Sequence, residues 1–183
     1  MASGNAVLED IQRIKREITS LSKMQILVGI QGDEDSEVLM IANVHEFGLT
    51  FKMTDKMRRY LGAMGLFDDS ESYNPPAGHQ TGYINIPERS FIRASFASGK
   101  QGIDATVKMA VDRIGTEKWT AQQAADMIGA FCVQATQSFI DDGKVTPPNS
   151  EFTLANKSQK TTLYDSGTTI RDRITYKIEG GSS

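Results

Sequence analysis

A single cysteine, Cys132, stands among 183 residues, so neither an intrachain disulfide nor a cysteine-rich zinc site can form, and a reducing compartment suits the chain. Histidine is almost as scarce. His45 and His79 are the only two, too few for an imidazole-based metal centre. No apolar run approaches the roughly 20 residues that cross a bilayer, and charges from Glu9 to Glu17 interrupt the N-terminus where a secretory signal needs an apolar centre. The expectation is a soluble protein made in the cytoplasm, with no membrane partner. A net charge of −3 gives no overall attraction to a polyanion, which argues against a dedicated DNA binder unless the chain has a local basic patch. Also missing are a GxSxG elbow, a GxxxxGK[ST] phosphate loop and a GxGxxG turn after a strand. No catalytic residue, metal ligand or cofactor is assigned on this reading.

What is present is enough apolar residue, 39%, to build one core at this length. Val7, Leu8, Ile11, Ile14, Ile18 and Leu21 recur at helical spacing among charges and predict an opening helix. The run MQILVGI at 24–30 predicts a buried strand. Ser36 caps a short helix that buries Val38, Ile41 and Ala42 and stops at Gly48, and Thr54 caps a second one. YINI at 83–86 reads as a strand, and Pro87 as the first turn of a helix that turns Phe91, Ile92 and Phe96 inward before ending at Gly99. Ile103, Val107, Val111 and Ile114 mark a further helix. Thr120 and Gln123 form a capping box for another, ending before Gly143. Ile170, Ile174, Tyr176 and Ile178 suggest a half-buried last strand.

The fold class is therefore α+β: one antiparallel or mixed sheet from 24–30, 83–86 and 169–178, packed against the helices at 103–114 and 120–140, with extended loops or arms. A single domain spans 1–183, with a loop or hairpin insertion at 67–82, dense in Asp, Ser, Pro and Gly, and an extended segment at 144–167.

Two short patterns invite chemistry. His45-Glu46 begins like a zinc-protease helix, but Leu49 stands where the second histidine would be, so His45 reads as a helix-end residue. Gly62-Ala-Met-Gly65 has the GxxG spacing with which KH domains clamp a nucleic-acid backbone, beside a basic cluster of Lys52, Lys56, Arg58 and Arg59. A helix-ending glycine and a solvated charged face explain the same residues. A small nucleic-acid-binding protein thus stays open as an alternative.

Four blocks in order, VGI (28–30), IANVHEFG (41–48), IPERSFIRASF (86–96) and PPNS…TL…K…LYDSG (147–167), together with TDKMRRYL, resemble the phage tail-completion and neck proteins, also called minor tail or virion morphogenesis proteins, of contractile-tailed phages. The insertion at 67–81 has no counterpart there, and Asp-Ser-Gly replaces the more frequent Asp-Thr-Gly. The resemblance implies a structural virion protein without a catalytic step. It would sit at the neck or top of the tail and join tail to head. Its implied partners are copies of itself in a hexameric ring, then tail tube, sheath or connector proteins, with passing contact to packaged DNA. Candidate interface residues are Pro147, Pro148, Asn149, Thr153, Lys157, Leu163, Asp165 and Gly167, since a long irregular polar segment suits an extended contact with another subunit.

Overall fold

A computed structural model of the chain describes residues 4–32, 36–63, 82–150, 154, 163 and 170–181. Within them the fold is α+β. In chain order the elements are α1 (Gly4–Leu21), β1 (Met24–Gly29), α2 (Ser36–Phe47), β2 (Leu49–Lys52), α3 (Asp55–Ala63), β3 (Tyr83–Ile86), α4 (Ile92–Thr116), α5 (Ala121–Asp141), a 3-10 turn (Ile170–Arg173) and β4 (Thr175–Gly180).

α4 and α5 form the centre. The short link between them makes them antiparallel neighbours, and the Ser95 and Thr136 hydroxyls meet across the pair at 2.9 Å. The capping box starts α5 as its sequence predicts: Thr120 accepts from the Gln123 amide, and Gln123 accepts from the Thr120 amide at 2.9 Å. α1 adds a further acceptor there, because Glu17 takes the Ala121 N–H at 2.8 Å. β1 and β4 make an antiparallel ribbon lying on α5, with Ile26 opposite Ile178 and Val28 opposite Tyr176. One cluster of buried side chains surrounds Ala110, Ile114 and Ile128, and another surrounds Phe91, Ile140 and Ile174; Val28 touches both.

Several local expectations are corrected. The strands do not form one sheet: β1 pairs with β4, whereas β3 pairs with β2, a strand that the sequence reading missed. α4 begins at Ile92 rather than at Pro87, and it runs through Gly99 to Thr116 as one helix. Gly99 is a close-packing position rather than a stop, and Gly102 is another such position. A Cβ on Gly102 would stand 2.8 Å from the Phe131 ring of α5, and one on Gly99 would touch Ala135. Ile170 belongs to the 3-10 turn, so the last strand starts only at Thr175. Of the α2 residues expected inside, Ala42 is buried while Ile41 is exposed.

Gly129 of α5 carries the ribbon. A Cβ there would run into the Tyr176 ring. Alanine normally favours a helix over glycine by about 1 kcal/mol, but this contact reverses the sign. Gly129→Ala is expected to destabilise the fold by about 1–3 kcal/mol through overpacking, read as a lower urea midpoint. A raised midpoint would mean that the Tyr176 ring is not held against α5.

Candidate functional site

α2 ends in His45-Glu46-Phe47-Gly48, and Glu46 is turned inward to 5% exposure. Its carboxylate accepts the Ser90 hydroxyl at 2.8 Å and the backbone N–H groups of Phe91, Ile92 and Arg93 at 2.8, 3.0 and 3.1 Å. The Arg93 guanidinium donates to the same carboxylate at 2.9 Å, to the Glu46 carbonyl at 2.7 Å and to Glu88 at 2.9 Å. It also lies 4.8 Å from the Phe47 ring centre. The Phe91 N-cap supplies no side-chain cap of its own. The free N–H groups and positive dipole end of α4 are thus satisfied by a carboxylate from another helix. Burial by itself would raise the Glu46 carboxyl, but hydrogen bonds from the Ile92 amide, the Ser90 hydroxyl, and the Arg93 amide and guanidinium outweigh it and hold the group below its ordinary value.

The backbone follows the same clasp. The Arg89 amide donates to the His45 carbonyl at 2.7 Å. Gly48 leaves α2 at φ +72°, where a Cβ would stand 2.9 Å from the Glu88 nitrogen, so glycine is required by conformation and by space. IANVHEFG and IPERSFIRASF, two separate blocks in sequence, are one joint in space. Within the second block Phe91 is fully buried, and Ile92 and Phe96 pack against the core half-covered. The dipole role that a helix starting at Pro87 would give Glu88 falls instead to Glu46.

Arg89 reaches from this joint to the segment after α5, donating to the Pro147 carbonyl at 3.0 Å and the Pro148 carbonyl at 3.4 Å. Pro147 and Pro148 are exposed and Asn149 is half-buried. Leu163 is corrected: at 6% exposure it lies in the chain's own core with Phe91 and Ile174 instead of facing a neighbour. Thr153, Lys157, Asp165 and Gly167 lie outside the described residues, as does nearly all of the 67–82 insertion.

The stretch from α2 through β3 exposes much apolar surface. Met40, Phe47 and Tyr60 are each about 60% exposed, and Ile41, Leu49 and Tyr83 are exposed too. α2 is apolar on nearly all sides, a pattern that belongs to a buried helix, yet only Ala42 and Glu46 are buried. Lys52, Lys56, Arg58 and Arg59 are all exposed on β2 and α3, where Asp55 is the one carboxylate. The β2–β3 register places Tyr83 opposite Lys52, and Tyr60 follows Arg59. Exposed aromatics therefore accompany the cations: Tyr60 is next to Arg59 in sequence, whereas Tyr83 is brought to Lys52 only by strand pairing across 31 positions.

Among the described residues no group of three or more His, Cys, Asp or Glu side chains could hold a metal ion, and no helix is long and apolar enough to cross a membrane. Asp141 holds Arg171 in a two-pronged pair, with contacts of 2.9 and 2.8 Å, fastening the 3-10 turn to the end of α5. Cys132 is enclosed, and burial pushes its thiol up. What this geometry offers is a clasped joint beside a partly apolar, partly basic exposed surface. The chain matches no family model, no curated protein and no solved structure.

Proposed function

We propose that this chain is a structural protein of a tailed-phage virion, acting in tail completion and head–tail joining as one subunit of a ring, six copies by tail symmetry, at the neck or top of the tail. The observation that carries the assembly reading is α2: apolar on nearly all sides, it is held to its own domain through Glu46 and Ala42, leaving Met40, Ile41 and Phe47 in water. Exposed apolar surface of this kind marks contact with another protein. The placement on a phage tail rests on the ordered sequence blocks described above.

Sedimentation velocity and negative-stain imaging of the purified chain, alone and added to tails lacking it, test the proposal. Discrete ring particles, or rings at one end of the tail, are the expected result. A monomer at every concentration that leaves tails undecorated would overturn it.

A second reading, contact with nucleic acid, is supported by Tyr60 and Tyr83 beside the four cations of β2 and α3. The insertion that follows α3 counts against it, carrying Asp68, Asp69 and Glu71. Gel shifts over a salt series with Arg58→Glu and Arg59→Glu separate the two readings, because binding through several phosphates weakens steeply with salt.

A further inference from the structure

Besides α2, a second apolar face stands without a partner among the described residues. α1 is fastened from its middle onward, by the Arg13 bond to the Ile114 carbonyl at 3.0 Å, by Glu17 at the start of α5, and by the Ser20 bond to the Gly181 carbonyl at 2.8 Å. Ile14 and Leu21 pack on the core. The rest of the stripe stays in water: Val7, Leu8 and Ile11 are between 51% and 56% exposed, and Ile18 is 39% exposed. An isolated helix of this length is marginal in water, and packing of its apolar face supplies most of its stability. On α2, Met40 and Phe47 are two turns apart along one side, and Leu49 follows on β2; all three are exposed.

We infer that these two faces belong together: the α1 stripe of one copy docks on the α2–β2 face of a second copy, head to tail. The inference rests on the assembly reading above and names its contact. Area is the first support. Each face presents roughly 350–400 Å² of apolar surface; since about 60% of an interface is apolar, the joint would bury roughly 1,200 Å² in all, the lower edge of what a specific contact needs. Symmetry is the second. Self-pairing of either face leaves the other in water, whereas a head-to-tail contact uses both on every copy and closes into a ring when the rotation allows.

Cysteine cross-linking of the full chain tests this, because its own Cys132 is buried. Ile11→Cys and Met40→Cys, at exposed positions, are made singly and together and treated with a short bis-maleimide. The expected result is a ladder of covalent oligomers from the double variant, dimers from a mixture of the two single variants, and none from either alone. Ile11→Asp, with an unchanged circular dichroism spectrum, should raise the concentration needed for assembly by at least about tenfold. Ile11→Cys linking to itself, or linking to tail proteins and not to Met40→Cys, would overturn the inference. Oligomers seen by sedimentation without the Ile11–Met40 ladder would place the contact elsewhere and leave the assembly reading standing; a chain that never self-associates would remove both.

Discussion

Replacing Glu46 by alanine is expected to destabilise the protein by about 1–3 kcal/mol, the cost of leaving buried hydrogen-bond donors without their acceptor, since its ionic partner Arg93 is half exposed and keeps its water. The substitution strips the acceptor from three backbone N–H groups at the start of α4, from Ser90 and from the Arg93 guanidinium. In a domain of this size the loss corresponds to about 2–12 °C in Tm. Glu46→Gln keeps one acceptor oxygen without the charge, so its effect should fall between. The native carboxyl lies below its ordinary value of 4.5. Its contribution is therefore complete above that unfolded-state value and is lost as pH falls through the lower folded value. Urea midpoints of wild type and Glu46→Gln between neutral pH and about pH 3 check the sign: the variant should show a shallower acid decline. The clasp also holds α2, so Glu46→Ala should speed hydrogen exchange through α2 and β2 more than in α5. An alanine variant within about 0.5 kcal/mol of wild type would refute the assignment, since that is the ordinary range for a surface change.

Phe91→Ala is expected to cost about 3–5 kcal/mol, because the ring is fully buried and its removal leaves a cavity beside side chains that cannot all collapse into it. Ala42 of α2, Ile140 of α5, Leu163 and Ile174 share its cluster, so this one ring joins elements from four parts of the chain. Phe96, only half-covered, should lose less on the same change. Equilibrium unfolding of the two variants side by side is the measurement. Equal losses, or a Phe91→Ala variant as stable as wild type, would contradict the core assignment. The two large predictions are coupled, since the Phe91 amide is held by Glu46 while its ring fills the core. The double variant should therefore lose less than the two single losses combined.

Much of the fold was legible along the chain. The α1 stripe, the Thr120–Gln123 cap of α5 and the alternation of β4 are local signals: spacing of 3.6 or 2 residues, or one side chain reaching an amide three positions away. Pro87 and Gly99 misled because the same residues serve two physical roles. Glycine ends helices where a positive φ is needed, but within α4 it lets Ala135 and Phe131 of α5 approach, and no neighbour in sequence distinguishes the two cases. The β2–β3 pair was hidden because LTFK is too short to show a period. As for the candidate site, the blocks around His45 and Phe91 were visible as separate patterns, and the basic cluster was visible as charge. That Glu46 caps α4 was not, since its partners begin 44 positions later and the Ser90–Arg93 stretch carries no cap of its own. Nor could Leu163 be placed, because a scattered apolar residue without a period reads the same whether it packs on its own domain or faces another. Composition shows that the faces of α1 and α2 favour leaving water. Which of those side chains their own domain covers is settled only by tertiary packing, because burial depends on contacts between residues far apart in the chain, and sequence patterns record only near ones.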